Sequence, residues 1–334
     1  MKWNNGYSAS YYAYVVDPES WRETERLEIT GGSINRTAEG LRDSADIECT
    51  EYDHGKEKYI RVYLDAGQNG SAAHEALFTG LATSPSRDID GFYEKKSLAC
   101  YSVLKAADDV LLARGYYVPA GSNVVQVIKD LLSCIPAPVT AEGTAPGIQM
   151  SIIAEDGETR LSMADKVLDA IGWRMRIKGD GSIILLPKPS EPSARFDPIE
   201  QDVLEPSITV NYDWYECPNV FRAVLEDLSS IARDDSPDSP LSTVSRGREV
   251  WAEETSCDLN TGESISEYAV RRLKELQRVR LTADYDRRYD PDVLVGDLVR
   301  LHYPAQGLDG VFRVKSQKIE LSYGAKTNEE VEAV

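Results

Sequence analysis

Cysteine is scarce in this sequence and widely scattered. The chain of 334 residues has five cysteines, and none of them forms a Cys-x-x-Cys pair. An odd number of separated cysteines is not the pattern of a disulfide-stabilised secreted domain or of a zinc site. We therefore expect reduced thiols, in a protein made in the cytoplasm, at Cys49, Cys100, Cys134, Cys217 and Cys257.

Histidine is scarcer still, with three residues, and this restricts the chemistry available. A serine or cysteine nucleophile usually needs a histidine base within hydrogen-bond reach. His54 lies in a polar turn, His74 in a loop before a strand, and His302 within a strand. Neither a His-Glu-x-x-His nor a Gly-x-Ser-x-Gly motif is present. The sequence predicts no catalytic residue, no metal ligand, no cofactor-binding residue and no cofactor.

Carboxylate pairs are common, because the chain has 56 Asp and Glu residues. Glu253 with Glu254, or Asp88 with Asp90, could supply the acid and base of a glycosidase. Such a pair needs one desolvated carboxyl group, whereas these four residues lie in polar sequence. We therefore expect the protein not to be an enzyme.

Long hydrophobic runs are also missing. No apolar stretch approaches the roughly 20 residues that a membrane-spanning helix needs. Residues 1–10 are polar and aromatic, unlike the basic and then apolar start of a signal peptide. We expect neither membrane insertion nor export.

Acidic residues, in contrast, are in large excess and give a formal net charge of −19. Such a charge argues against binding to a phosphate backbone, which depends on Lys and Arg. Acidic residues outnumber basic ones by 19 to 12 in residues 1–110 and by 28 to 16 in residues 196–334. Residues 111–195 have nine of each. The chain therefore has a neutral middle region and two acidic flanks.

The first hundred residues predict a β-rich domain. Apolar and polar residues alternate in short segments such as Tyr59 to Leu64, and polar turns separate these segments. Six strands at this spacing are typical of a barrel or a sandwich. They are predicted at residues 11–16, 26–34, 45–51, 59–64, 76–82 and 96–102.

The middle region changes to helical periodicity. One helix is predicted to begin after Ser122 or Asn123. The stretch from Arg160 to Leu186 then encodes one complete unit. Ser162 is suited to cap a second helix, with Asp165 three residues later. Two apolar strands follow and flank a glycine-rich turn, which predicts a β-hairpin and a small α/β domain.

The last region predicts strands again, with a loop and a long helix among them. Residues 229–248 are rich in Ser, Asp and Pro and predict a mobile loop. The segment from Ser264 to Arg280 has the pattern of an amphipathic helix. The tail from Ala325 is expected to fray. Strands are predicted at residues 196–210, 220–225, 280–285, 297–303 and 310–321.

These patterns together predict an α+β fold that is mainly β, with two β-barrel domains flanking a small α/β domain. The domains are assigned to residues 1–110, 111–195 and 196–334. The boundary near 196 depends on whether strands after the middle region return to the first barrel.

Several short motifs occur in an order that can be compared with known families. They are Ile29 to Arg36, Arg42 to Ala45, Tyr59 to Tyr63, Leu77 to Leu81, Leu98 to Leu104, Gly115 to Tyr117, Ala120-Gly121, residues 160–186 and Val295 to Asp297. In order and pattern they resemble the baseplate hub proteins of phage tails, such as those of Mu-like phages and defective Bacillus prophages. The resemblance extends over nearly the whole chain.

The resemblance implies a structural protein of the virion tail baseplate, assembled in the cytoplasm of the bacterial host. It implies a homotrimer in which each subunit contributes two similar barrels to a pseudo-hexameric ring. Such a ring joins the hexameric tail tube protein to the trimeric spike protein, while the α/β domain is free to contact other baseplate proteins. DNA passes through the lumen without specific binding. The acidic flanks then predict an acidic lumen that repels DNA.

Two other functions are compatible with the same residues. A carbohydrate-binding or carbohydrate-cleaving tail component would use Trp214, Tyr215 and Trp251 as stacking platforms. A soluble scaffold protein unrelated to tails is the third interpretation.

Overall fold

The computed structural model divides into two compact units. The first contains residues 1–208 and 284–332 with residue 334, and the second contains residues 209–283 with residue 333. The structure describes residues 1–3, 5–52, 56–189, 208–215, 217–225, 228–255, 257, 263–277, 280–323 and 325–334.

A closed barrel of six strands forms the N-terminal part of the first unit. The strands follow one another in the order β1-β4-β5-β6-β3-β2, and β1 also pairs with β2, which closes the barrel. All of these pairings are antiparallel. The strands are β1 (Ser8–Val16), β2 (Glu23–Thr37), β3 (Asp43–Cys49), β4 (Lys58–Gln68), β5 (Ser71–Asp90) and β6 (Tyr93–Ser102).

The barrel encloses an apolar core because its strands alternate in sequence. In β4, Ile60, Val62 and Leu64 are fully buried, and they lie on the same side of the strand. The other strands contribute Ile34, Ile47, Phe78 and Leu98 to the same core. The six strands predicted for this region, and the mainly β character of the α+β fold, are confirmed.

The α/β part of the first unit packs two helices against small sheets. Strand β11 pairs with β10 in an antiparallel hairpin and with β8 in parallel, while β7 pairs with β9. The helices contribute buried residues such as Ile128 and Val167 to one core. The elements are α1 (Lys105–Asp108), β7 (Tyr117–Val118), α2 (Val124–Leu131), β8 (Val139–Ala141), β9 (Ile152–Ile153), α3 (Arg160–Ala170), β10 (Trp173–Ile177) and β11 (Ile183–Pro187).

One helix start differs from the prediction. Helix α2 is capped by Asn123 as predicted, but α3 is capped by Thr159 and not by Ser162. The Thr159 side chain accepts a hydrogen bond from the Ser162 amide, so Ser162 lies inside the first turn. Thr159 has the extended backbone that a cap requires, whereas Asp165 is used elsewhere, in an ion pair with Arg42.

The C-terminal strands return to the N-terminal barrel. Strand β18 pairs with β2, with Ile319 opposite Ile34. Strand β17 also pairs with β18, and β19 follows β18 in the sheet order. These strands are β16 (Arg280–Arg288), β17 (Leu298–Tyr303), β18 (Leu308–Glu320) and β19 (Lys326–Ala333), with a short 3-10 helix at Pro304–Gln306.

The predicted fraying of the tail is wrong. Residues 326–333 form β19, in which Thr327, Glu329 and Val331 are fully buried. Glu329 forms an ion pair with Arg287 of β16, so this strand holds charged groups inside the protein. The predicted domain boundary at 195/196 lies outside the described residues, and the division into residues 1–110, 111–195 and 196–334 stays a prediction.

The second unit packs a helix on a three-stranded sheet. Strand β13 pairs antiparallel with β14 and parallel with β15, and α5 covers one face with Tyr268, Ala269 and Leu273. Ser264 and Glu267 form a capping box at the start of α5. The elements are β12 (Thr209–Asp213), β13 (Val220–Leu225), β14 (Leu228–Arg233), α4 (Thr243–Arg246), β15 (Trp251–Glu254) and α5 (Ile265–Leu276).

Residues 229–248, predicted to form a mobile loop, contain part of a strand and a short helix. They include most of β14 and all of α4. The buried Asn219 also holds this segment, because its amide donates to the carbonyl oxygens of Leu241 and Arg248. The predicted strand at residues 196–210 lies largely outside the described residues.

Candidate functional site

The two described histidines, His74 and His302, do not form a catalytic group with each other. His74 Nδ1 lies 2.6 Å from Asp65 and 3.1 Å from the Tyr12 hydroxyl, so one nitrogen serves both contacts and no relay is formed. The His74 ring stacks on Tyr63 at the exposed surface of the barrel. His302 is exposed on β17 beside Asp309. His54 lies outside the described residues.

The carboxylates of the first predicted pair are separated, and those of the second are exposed to solvent. Glu253 and Glu254 are adjacent in β15 and therefore point to opposite faces of the sheet. Glu253 pairs with Arg222, whereas Glu254 accepts hydrogen bonds from Tyr268 and Arg272. Asp88 and Asp90 are exposed in the hairpin of β5 and β6. Among the described residues, no group of three or more His, Cys, Asp or Glu is placed to hold a metal ion.

The aromatic residues considered as a sugar platform lie in the second unit. Trp214, Tyr215 and Trp251 are all exposed. The Trp251 indole donates to Glu249, and the guanidinium of Arg248 lies 5.8 Å from the centre of the Tyr215 ring. The rings of Trp251 and Tyr215 therefore each lie beside a charged side chain of the second unit.

The structure instead brings charged residues together at a cavity of about 470 Å³ in the first unit. The turn between β2 and β3, helix α3, strand β10 and the segment before β17 surround it. Its basic lining residues are Arg36, Arg42, Arg174, Arg176, Lys188 and Arg313. Its acidic lining residues are Glu39, Asp43, Asp165 and Asp169. No sequence motif unites these residues, because they come from separate segments of the chain.

Alternation in β10 places two of these arginines side by side. Arg174 and Arg176 project from one face of the strand, whereas Trp173 and Met175 enter the core. Both guanidinium groups bind the same carboxylate, Asp297, whose side chain is 3% exposed. Burial, together with the neighbouring Arg176, lowers the pKa of Arg174.

Gly296 lies directly against this contact. It has φ +82°, and a Cβ atom there would lie 1.9 Å from Nη1 of Arg174. The glycine therefore permits both the left-handed backbone and the close approach of the guanidinium. Gly296 belongs to the Val295 to Asp297 motif. The contacts of Gly296 and Asp297 with Arg174 give these two residues of the motif a structural role.

The barrel supplies the second pair of arginines. Arg36 and Asp43 are opposite each other in β2 and β3, and Arg42 binds Asp165 of α3 at 2.6 Å. Burial raises the pKa of the Asp43 carboxyl to about 6, although Arg36 and Arg42 oppose this shift. Burial also raises the pKa of Asp165.

The hairpin of β10 and β11 is held against the barrel close to this cavity. The Thr79 hydroxyl donates to the Gly179 carbonyl at 2.7 Å, and Arg61 donates to the Asp180 carbonyl at 2.9 Å. A Cβ atom on Gly179 would lie 1.6 Å from the Ala76 carbonyl oxygen. The turn therefore touches β5 backbone to backbone, which explains why glycine stands in the turn.

Among the comparisons with known proteins, only the one with solved structures finds similar proteins. Neither a protein-family model nor a curated protein matches the sequence. A 43 kDa tail protein of prophage MuSo2 from Shewanella oneidensis is similar over 98% of both chains, with a TM-score of 0.66 and 14% identity. The chain has the fold of phage tail proteins.

Two further structures have this phage-tail fold. A tail protein from Neisseria meningitidis MC58 has a TM-score of 0.64 and 16% identity, over 98% of this chain and 97% of that one. Prophage tail protein gp18 from Listeria monocytogenes EGD-e has a TM-score of 0.54 and 14% identity, over 96% and 94%. The predicted resemblance to tail proteins is thereby confirmed for the fold.

Proposed function

We propose that this protein is a non-enzymatic structural component of a phage or phage-like tail baseplate, and that it acts as the hub. The observation that carries the proposal is the agreement of nearly the whole chain with prophage tail proteins of similar length. A protein that shared only one domain with tail proteins would match over part of its length.

In this proposal three copies form a pseudo-hexameric ring between the tail tube protein and the spike protein. The closed barrel of β1 to β6, with β16 to β19 continuing outward from β2, gives each subunit a large β structure for ring contacts. Other baseplate proteins contact the α/β part. The protein is assembled in the host cytoplasm and becomes part of the virion tail.

Mass in solution tests the proposal. Multi-angle light scattering of the purified protein should give three times the chain mass of 37.1 kDa, and a complex with the spike protein should add the mass of three spike chains. Electron microscopy of the same sample should show a ring. A monomer that hydrolyses or binds glycans would contradict the proposal and favour the carbohydrate-active alternative.

The acidic lumen is part of the same proposal. A ring lined with Asp and Glu repels DNA, and weak binding is what passage requires. Fluorescence anisotropy with duplex DNA at low salt should detect no binding to the trimer. Binding that weakens steeply as salt increases would contradict this, because it is the behaviour of a basic surface.

A further inference from the structure

The cavity in the first unit combines positive charge with burial, in a chain that is otherwise strongly acidic. Arg42, Arg174 and Arg176 have side chains only 11%, 19% and 14% exposed. Arg36 is 6% exposed. Folding thus removes four charged guanidinium groups from water. This costs free energy unless each charge is compensated.

Compensation by the protein is incomplete. Asp297 is shared between two arginines, and Asp165 serves Arg42. Asp43 is the third carboxylate beside these four arginines. Asp169 pairs with Lys188 at the cavity edge, and the lining also contains one exposed residue of each charge, Arg313 and Glu39. The buried arginines therefore outnumber their carboxylates.

Hydrogen bonding gives an independent sign of the same deficit. Within the described part of the chain, Nη1 of Arg36 and the Nε atoms of Arg42, Arg174 and Arg176 are buried without a hydrogen-bond acceptor. A buried guanidinium normally uses its donors, and an unused one leaves a desolvation cost. Four such donors around one cavity indicate a local shortage of acceptor oxygens.

We propose that this cavity binds a small oxyanion, for which inorganic phosphate is the probe. Planar guanidinium groups match the oxygens of such an anion with paired, charge-assisted hydrogen bonds. Arg174 and Arg176 from β10 and Arg313 from β18 are the residues that hold it. The volume of about 470 Å³ leaves room for the anion together with bridging water.

Phosphorus NMR can test the proposal with the whole protein. Inorganic phosphate is added to about 10 mM at constant ionic strength, with chloride as the balancing anion, and the broadening of the phosphate signal is measured. Sulfate is then added to compete. Binding to wild type, reversed by sulfate, is expected.

Two variants on neighbouring strands form a matched pair. Arg313 on β18 lines the cavity, whereas Arg300 on β17 is an exposed arginine outside it that pairs with Asp309. Arg313→Gln should weaken phosphate binding at least about fivefold, and Arg300→Gln should leave it unchanged. Both remove one positive charge from an exposed position, so a general charge effect would alter both equally.

Arg174→Gln provides a second variant inside the cavity, and binding should be lost in it. Should that variant not fold, the pair Arg313→Gln and Arg300→Gln decides the matter. Absence of phosphate broadening in wild type overturns the proposal. Equal binding in the Arg313 and Arg300 variants overturns it as well, because the anion would then bind elsewhere.

Discussion

Two groups of buried arginine side chains lie in the first unit, and they are compensated differently. In the C-terminal sheet, Arg287 and Glu329 are 2% and 0% exposed and bind each other directly. Tyr285 and Gln317 also donate to Glu329, at 2.8 and 2.6 Å. Glu329 raises the pKa of Arg287, although burial alone would lower it.

The cavity arginines have the opposite balance. Two of them share Asp297, and buried N–H groups lack acceptors. The first group behaves as part of a core, since each charge is matched one to one. The cavity arginines have more positive charges and N–H donors than the surrounding residues have carboxylates and acceptors to match, as in a site that binds an anion. Burial alone therefore does not distinguish an arginine of the core from an arginine of a binding site, whereas the number of its acidic partners does.

Breaking the ion pair of Arg287 and Glu329 should give the largest loss of stability. Glu329→Gln leaves Arg287 as an uncompensated buried charge, and we expect a loss of about 3–5 kcal/mol of unfolding free energy. Urea unfolding measures this. The neighbouring Glu330→Gln is the control, because Glu330 pairs with the half-exposed Lys315 and should cost less than about 1 kcal/mol.

Crowding the turn beside the cavity should have the next largest effect. Gly179→Ala places a Cβ atom 1.6 Å from the Ala76 carbonyl, so the hairpin must move away from β5. We expect the free energy of unfolding to fall by about 3 kcal/mol, the upper end of the range for adding a carbon atom to a tightly packed site. Gly147→Ala is the control, since a Cβ there meets nothing within 4 Å. Equal stability of the two variants would show that the hairpin does not touch the barrel.

A smaller effect, dependent on pH, should come from Asp43. Its folded-state pKa of about 6 lies above the ordinary 3.8, so the folded state is favoured when the carboxyl is protonated. That stabilisation is complete below about pH 4 and is lost as pH rises through 6. Between pH 5 and 7.5, wild type should lose about 1 kcal/mol more than Asp43→Asn in urea unfolding. Parallel pH profiles would contradict the burial of this carboxyl.

The smallest effect on stability is expected from Arg313→Gln. This side chain lies at the exposed side of the cavity and repels Arg174, whose pKa it lowers. Its removal should leave the unfolding free energy within about 0.5 kcal/mol, or raise it slightly. A loss above 2 kcal/mol in thermal unfolding would mean that Arg313 is structural, like Arg287.

Local features of the fold could be predicted from the sequence. Alternation located β4, Asn123 is one of the two predicted caps of α2, and the helical pattern from Ser264 located α5. Thr159 was missed because Ser162 carries the same capping chemistry three residues later. Where two capping residues compete, the sequence pattern alone does not choose between them.

Features that depend on distant pairing could not be predicted. Glu329 stands in a polar tail, and only its pairing with Arg287, 42 residues earlier, makes it a core residue. Likewise, the return of β18 to β2 joins opposite ends of the chain. The cavity was missed for the same reason, since Arg42, Arg174 and Asp297 meet only after the fold has formed.

The proposed hub role has one direct test, the mass of the assembled protein. Light scattering of the purified chain should give three times 37.1 kDa, and three copies of the chain should also be present in its complex with the spike partner. A single copy of the chain under both conditions would contradict the trimeric hub.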